Sequence, residues 1–220
     1  MKEIEDLKRY YSDRAKEYDE TAGYKNPVAE KIRKSIKLRH QNYFKGHDVL
    51  EIACGTGYWT EVIAETANSV LAIDISKKMI SIAKKRLTKY KDVDFAIADA
   101  YILDNVQGEF SAAYAHWWCS HIPKSKIRNF LLNLHKKLIS EAFVLFADHL
   151  PHYLEKEIKV NYNEDGDRLE ERILKNRKKY LVVKNFPSKE EIYSSLSGLA
   201  KNINFQEYEG YWELYYTVLK

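Results

Sequence analysis

The sequence predicts an α/β fold in which a doubly wound, largely parallel sheet is covered by helices on both faces. Two observations carry this prediction. Short apolar runs alternate with amphipathic segments from residue 26 to residue 148, which is the rhythm of a parallel sheet. The first run, Val49 to Ile52, leads directly into a turn that contains Gly55 and Gly57, as a buried strand does before a helix.

The first two thirds of the chain are predicted to form alternating helices and strands. Asn26 can cap a helix that has Pro27 in its first turn and runs to about Arg39. Ser76 is the expected N-cap of a later helix that ends near Tyr90. Two further helices are predicted over residues 58–67 and 124–139. The predicted strands are His47–Ile52, Ser69–Ile73, Val93–Ala98, Ser111–Ala115 and Ala142–Ala147.

The pattern changes after the fifth strand. Leu169–Leu174 and Tyr180–Val183 are rich in β-forming residues and flank a polar stretch, which predicts an inserted β-hairpin. Ser188 and Glu191 have the spacing of a capping box, which opens a helix that runs to about Lys201.

Two strands joined at a tight turn around Gly210 close the chain, over residues 205–208 and 211–219. The sum is a single Rossmann-like domain over residues 1–220, with a seven-stranded sheet that ends in an antiparallel hairpin. Residues 1–45 are expected to form a helical lid, and residues 150–187 an inserted segment on the substrate side.

Composition narrows the functional class. The 220 residues carry a formal net charge of +4, and the basic residues are spread along the chain. This distribution favours solvated helix faces over a nucleic-acid surface. The N-terminus has no apolar signal region, and no apolar run is long enough to cross a membrane. Cys54 and Cys119 have no metal-ligand spacing, so we expect no metal site and a reduced, cytoplasmic protein.

The glycine turn and the next strand indicate a nucleoside ligand. Backbone N–H groups of the turn can approach a ligand, and Asp74 at the tip of the second strand can accept ribose hydroxyls. Thr60 stands where a dinucleotide motif has its third glycine, which disfavours a diphosphate and hence a nicotinamide dehydrogenase. Glu51, inside the end of the first strand, favours a cationic ligand instead.

Several segments together resemble the class I S-adenosylmethionine-dependent methyltransferases, and the resemblance covers nearly the whole chain. Val49 to Gly57 resembles the first motif of that family, and Asp74 its ribose-binding acid. Phe95 to Ala100 resembles the third-strand motif, and Phe110 to Pro123 the fourth-strand segment. Tyr10 to Asp19 is similar to the leader that folds over the cofactor in many small-molecule members.

The resemblance implies S-adenosylmethionine as cofactor. It implies cofactor contacts from these residues: Tyr11, Tyr18, Glu51, Ala53, Gly55, Gly57, Trp59, Asp74, Ile75, Met79, Asp99, Ala100 and His116. Ala53 departs from the family pattern by replacing a glycine, which a negative φ would allow. His116 departs from it at the tip of the fourth strand, where Asn or Asp is common.

Candidate catalytic groups cluster beyond the fourth and fifth strands. His116, His121 and His149 are the candidate bases, and His152 shares the edge of His149. For His121 an orienting role in its loop is an alternative. Trp117 and Trp118 are expected to place one ring in the core and one at the pocket.

The expected activity is methylation of a small molecule, with S-adenosylhomocysteine as coproduct. The aromatic pocket edge indicates a partly apolar or aromatic acceptor, which the inserted hairpin would select. Methylation of a protein or RNA is one alternative. Another is a noncatalytic cofactor-binding or partner protein, in which Trp117 and Trp118 would fill the pocket. The acceptor atom and the oligomeric state do not follow from the sequence.

Overall fold

The computed structural model describes residues 2–151 and 158–220. The strands are β1 (Asp48–Ile52), β2 (Ser69–Asp74), β3 (Val93–Ile97), β4 (Phe110–His116), β5 (Leu138–His149), β6 (Val160–Tyr162), β7 (Arg168–Ile173), β8 (Lys179–Val183), β9 (Ala200–Glu207) and β10 (Tyr211–Val218). The α-helices are α1 (Lys2–Arg14), α2 (Tyr18–Thr21), α3 (Glu30–Phe44), α4 (Tyr58–Ala64), α5 (Lys77–Arg86), α6 (Ile127–His135) and α7 (Lys189–Leu196).

The central sheet has seven strands in the order β3-β2-β1-β4-β5-β10-β9. The first five strands run parallel, and β10 is antiparallel to both β5 and β9. The chain moves outward from β1 to β3 and then returns to β4, which lies beside β1. This reversal of strand order opens a crevice at the carboxyl ends of β1 and β4, where such sheets bind ligands. The predicted Rossmann-like sheet with its closing hairpin is confirmed.

The two faces of the sheet bury separate apolar layers. One layer joins Phe130 and Leu134 of α6 and Ile192 of α7 to the sheet. The opposite layer joins Ile36 and Phe44 of α3, together with side chains of α4 and α5, to the other face. Because both faces are covered, the central strands read as nearly continuous apolar runs in the sequence.

The inserted segment is larger than the predicted hairpin. β7 and β8 pair antiparallel as expected, and β6 adds a third strand beside β7. The sequence signal missed β6 because Val160, Asn161 and Tyr162 form a short edge strand with two exposed side chains.

Several predicted helix boundaries were wrong. α3 begins at Glu30, because Asn26 instead accepts the Val28 N–H within a turn at 3.0 Å. The predicted helix over 124–139 is a 3₁₀ turn, then α6, and then the start of β5. α7 ends at Leu196, since Gly198 takes a left-handed φ of 73° and turns the chain into β9.

α1 lies across the carboxyl end of the sheet and rests on the inserted strands. Leu7 and Tyr10 of α1 pack against Leu174 and Val182. The Tyr180 hydroxyl donates a hydrogen bond to Asp13 at 2.7 Å. In the described ranges, no helix combines the length and apolarity needed to cross a membrane.

Candidate active site

A cleft of about 770 Å³, including its open mouth, lies at the carboxyl ends of the strands beneath α1. Most predicted site residues line it: Tyr11, Tyr18, Ala53, Gly55, Asp74, Ile75, Met79, Asp99, Ala100, His116 and His121. Four others do not: Glu51, Gly57, Trp59 and His149.

The two glycines of the turn have different structural roles. Both take left-handed φ values, 57° at Gly55 and 78° at Gly57. A Cβ on Gly57 would lie 2.8 Å from Leu87 Cδ1 and 3.0 Å from Ala83 Cβ, so this glycine lets α4 approach α5. A Cβ on Gly55 would meet no described atom within 4 Å. The Gly55 backbone therefore borders open space in the cleft.

Ala53 contradicts the expectation of a negative φ. Its φ is 54°, in the left-handed region that glycine adopts without strain. An alanine in this conformation costs about 1–2 kcal/mol. The chain therefore keeps the backbone geometry of the glycine position at an energetic cost, at a residue that lines the cleft.

Asp74 joins the tip of β2 to the glycine turn. Its Oδ2 accepts the Gly55 N–H at 3.0 Å, and its Oδ1 accepts the Ser76 N–H at 2.8 Å. Burial raises the pKa of this carboxyl to about 6, although the two backbone hydrogen bonds act in the opposite direction. Each carboxylate oxygen has further acceptor capacity, which can take hydroxyl donors of a ligand.

Asp99 lies beyond β3, at the other end of the cleft from the tip of β4. Its Oδ1 accepts the Tyr101 N–H at 2.9 Å, and its Oδ2 accepts from Lys8 of α1 at 3.2 Å. Lys8 also lines the cleft and was not predicted. The signal for it was the helical spacing of Ile4, Leu7, Lys8 and Tyr11, which all line the cleft from one side of α1.

Glu51 and Trp59 lie outside the cleft-lining set. Burial raises the pKa of Glu51 to about 8, and the negative charge of Asp74 acts in the same direction. Its Oε2 has no hydrogen-bond partner among the described residues. The Trp59 ring packs against the His116 ring at a tilt of 41°, with 3.9 Å between the ring centroids, and His116 does line the cleft.

The tip of β4 carries His116 and Trp117. Neither ring nitrogen of His116 has a hydrogen-bond partner in the described part of the chain, although this residue is only 8% exposed. Burial lowers its pKa well below the usual value, and His40 adds to the effect, so the ring is neutral. Trp117 has a left-handed φ of 58° and packs between Tyr24 and His149. Such strain at a site edge is typical of functional positions.

The expected division of the two tryptophans between core and pocket is confirmed in part, because both Trp117 and Trp118 line the cleft. Trp118 also packs on Phe130 of the core at 4.9 Å between ring centroids, so one side chain serves both environments. Both rings line the cleft together with His116. His149 stacks on Trp117 at 4.5 Å, and His152 lies outside the described residues.

His121 is held at the junction of three elements. Its Nδ1 lies 2.6 Å from the Val183 carbonyl oxygen at the end of β8, and its Nε2 lies 2.7 Å from the Tyr11 hydroxyl of α1. Burial lowers the pKa of His121 to about 3, and the positive charge of Lys184 contributes. The imidazole is therefore neutral at physiological pH.

A buried ion pair, which the sequence did not reveal, fixes the loop around His121. Lys184 Nζ lies 3.2 Å from Asp148 Oδ1 and donates to the Ser120 hydroxyl. The Ser120 N–H donates to Asp148 Oδ2 at 2.8 Å, and the Asn185 N–H donates to the Ser120 carbonyl at 2.7 Å. The inserted sheet thus braces the loop after β4.

Comparison with known proteins agrees with this geometry. Residues 49–140 match the family model described as a methyltransferase domain. The malonyl-[acyl-carrier protein] O-methyltransferase of Priestia megaterium is 34% identical over 86 residues, which are 38% of this chain and 30% of that protein. The corresponding enzyme of Bacillus cytotoxicus is 27% identical over 145 residues, 64% of this chain and 48% of that protein. The chain thus spans less than half the length of either relative.

Solved structures match along the whole chain. The complex of DhpI with SAH is 25% identical, covers 99% of this chain and 98% of its own, and has a TM-score of 0.80. The N-methyltransferase NodS from Bradyrhizobium japonicum WM9 is 14% identical, covers 89% of this chain and 99% of its own, and has a TM-score of 0.62. The second match shows a shared fold.

Proposed function

Because the chain belongs to the class I S-adenosylmethionine-dependent methyltransferase family, we propose that it transfers a methyl group from S-adenosylmethionine to a small-molecule acceptor. The coproduct is S-adenosylhomocysteine. The observation that carries the proposal is the position of Asp74, which binds the glycine turn and lines the cleft beside it.

The residues of the cleft fit the proposed cofactor. Asp74 has acceptor capacity for the two ribose hydroxyls, and Gly55 presents its backbone to open space. Asp99 and Ala100 line the part of the cleft that would hold the adenine. Met79, which is almost fully buried and also lines the cleft, supplies an apolar contact for that ring.

The acceptor end of the proposed site lies at the tip of β4. His116, with two unpartnered ring nitrogens among the described residues, is the polar group expected to meet a ligand there. Trp117 and Trp118 supply flat apolar surface, which supports a partly apolar or aromatic acceptor. A cleft that remains open beside them favours an enzyme over a noncatalytic binding protein.

α1 is the proposed lid of this site. Ile4, Leu7, Lys8 and Tyr11 of α1 line the cleft, whereas α3 packs against the far side of the sheet. We therefore assign the lid to α1, with Tyr18 of α2 beside it, rather than to the whole of residues 1–45. The two free thiols, Cys54 and Cys119, support a reducing compartment such as the cytoplasm.

Bound S-adenosylmethionine supplies a methyl group on a positively charged sulfur. The contribution of the protein is then to align the acceptor with that methyl group and to exclude water. The aromatic rings and α1 are placed for both tasks, because both line the cleft.

Titration calorimetry tests the cofactor assignment. We expect heat on addition of S-adenosylmethionine and none on addition of NAD. Asp74→Ala should weaken S-adenosylmethionine binding by about 1–3 kcal/mol, or roughly 5- to 150-fold, through the loss of buried hydrogen bonds. The matched control is Asp104→Ala, at an exposed acid that does not line the cleft. Absence of heat with S-adenosylmethionine would refute the proposal.

A further inference from the structure

The hydrogen bonds of His121 determine whether the Tyr11 hydroxyl is a donor or an acceptor. The Val183 carbonyl oxygen can only accept, so His121 Nδ1 carries the hydrogen in their 2.6 Å contact. In the neutral ring, Nε2 is then an acceptor, and the Tyr11 hydroxyl donates its hydrogen to it at 2.7 Å. No other hydrogen bond of this hydroxyl occurs within residues 2–151 and 158–220. The lone pairs of Tyr11 Oη are therefore available to a ligand that donates a hydrogen bond.

We propose that Tyr11 is a catalytic residue that accepts the proton of the methyl acceptor, and that this acceptor bears a hydroxyl group. The inference rests on the proposed methyl transfer and specifies its substrate class. His121 acts through Tyr11 as a positioning residue and as the next proton carrier. Both side chains line the same cleft as His116 at the tip of β4.

The transfer balances in atoms and charge. A bond forms between the acceptor oxygen and the methyl carbon while the carbon–sulfur bond breaks, and its electron pair stays on sulfur. The positive charge thereby moves to the acceptor oxygen. The proton on that oxygen passes to Tyr11 Oη as the proton of Tyr11 passes to His121 Nε2. The imidazolium then returns its proton to water when the cleft opens.

Proton transfer from the acceptor through Tyr11 to His121 suits a hydroxyl acceptor better than an amine, because the two methylated products differ in acidity. A protonated ether is a far stronger acid than an imidazolium, so it can give its proton even to an imidazole of lowered basicity. A protonated alkylamine is a weaker acid than an imidazolium, so the same transfer would run uphill. The lowered pKa of His121, about 3, strengthens this selection. The positive charge of Lys184 also disfavours a long-lived protonated His121.

The direction of the hydrogen bonds can be observed without turnover. We expect nitrogen NMR of the histidine-labelled protein, saturated with S-adenosylhomocysteine at pH 7, to show neutral His121 with its hydrogen on Nδ1. His121→Gln identifies the signal by its loss, and Tyr11→Phe should shift the Nε2 resonance. A hydrogen on Nε2 would overturn the proposal, because Tyr11 would then be the acceptor in that bond.

Ligand binding tests the acceptor role of Tyr11. Phenol and toluene have similar shapes, but only phenol donates a hydrogen bond. In the S-adenosylhomocysteine complex, we expect Tyr11→Phe to reduce the ratio of phenol to toluene affinity about tenfold, the effect of one hydrogen bond. Tyr10→Phe is the control, because Tyr10 packs on the inserted sheet and does not line the cleft. An unchanged ratio in Tyr11→Phe, or no binding of phenol, would overturn the proposal.

Turnover measurements distinguish an oxygen acceptor from a nitrogen acceptor. With S-adenosylmethionine, we expect phenol to yield anisole and benzylamine, an alkylamine, to yield less methylated product. His121→Gln should lower kcat for phenol about 100-fold and leave KM within about threefold, since the proton transfer acts in the reaction step. Preferred methylation of benzylamine, methylation of neither, or a matched change in KM would overturn the hydroxyl assignment. Calorimetric binding of S-adenosylmethionine distinguishes that result from failure of the proposed function.

Discussion

Lys8 in α1 forms an ion pair with Asp99, which lies 91 positions later beyond β3, and the Nζ–Oδ2 distance is 3.2 Å. The pair connects the helix that covers the cleft to the residue expected beside the adenine. It thus joins the proposed lid to the wall of the proposed cofactor site.

Loss of this ion pair should speed cofactor release. Lys8→Gln removes the charge, and the pair is partly exposed, so it contributes about 0.2–1 kcal/mol. We expect S-adenosylmethionine to dissociate about 1.4- to 5-fold faster in stopped-flow experiments. Lys34→Gln, at an exposed position of α3, is the matched control. Equal release rates in Lys8→Gln and the wild-type protein would contradict a lid held by this contact.

The two glycines of the turn should respond differently to alanine. Both substitutions place alanine in a left-handed conformation, at a cost of about 1–2 kcal/mol. Gly57→Ala adds overpacking against α5, about 1–3 kcal/mol more, and should therefore lower the free energy of unfolding most. Gly55→Ala should mainly weaken cofactor binding. Chemical denaturation and calorimetry of both variants check this, and equal destabilisation would refute the assigned roles.

Glu51 should make stability fall as the pH rises. Its pKa is about 8 in the fold, above the ordinary value of 4.5, so the native state holds an extra proton between these pH values. The free energy of unfolding contributed by this group therefore decreases as the pH passes from 4.5 to 8. The Glu51→Gln variant has no titratable carboxyl group at this position. Its melting temperature should match that of the wild-type protein near pH 4.5 and exceed it by several degrees at pH 8.

Glu61→Gln, at a half-buried glutamate of α4, is the control for this pH series. A constant difference between Glu51→Gln and the wild-type protein at all pH values would show that burial does not govern the protonation of Glu51.

Removal of Lys184 should destabilise the protein strongly. Lys184→Met leaves the fully buried Asp148 carboxylate without its countercharge, which costs about 3–5 kcal/mol. The double variant with Asp148→Asn should recover most of the loss, because no unpaired buried charge remains. Denaturant titration measures both effects. Lys179→Met, at an exposed pair in β8, should change stability by less than about 1 kcal/mol. Additive single losses in the double variant would contradict the pairing.

The strands of the central sheet could be predicted because each is marked by a pattern of residues close together in the sequence. Buried parallel strands give apolar runs in the sequence, and the glycine turn marks the end of β1. The position of Asp74 in the cleft could be predicted for the same reason, since it follows the second strand at the carboxyl edge of the sheet. The capping box at Ser188 was likewise confirmed, because a cap depends on residues three positions apart.

Other features depend on distant parts of the chain. The partner of Lys184 lies 36 positions away, and neither residue carries a local sign of pairing. The left-handed φ of Ala53 is imposed by the surrounding turn and strands, so a residue-based expectation gave the wrong sign. The end of α7 at Leu196 was missed because Leu199 and Ala200 continue an apolar pattern after it.

The contact of α1 with β8 has a consequence for biosynthesis. Asp13 and its partner Tyr180 are 167 positions apart, whereas the glycine turn and Asp74 lie early in the chain. A ribosome therefore releases the cofactor-binding strands long before the surface on which α1 rests exists. Until β8 emerges, the nascent chain has the carboxyl edge of the parallel strands, but α1 has no surface to hold it over that edge. We therefore expect each newly made molecule to retain the cofactor only after β8 has been synthesised.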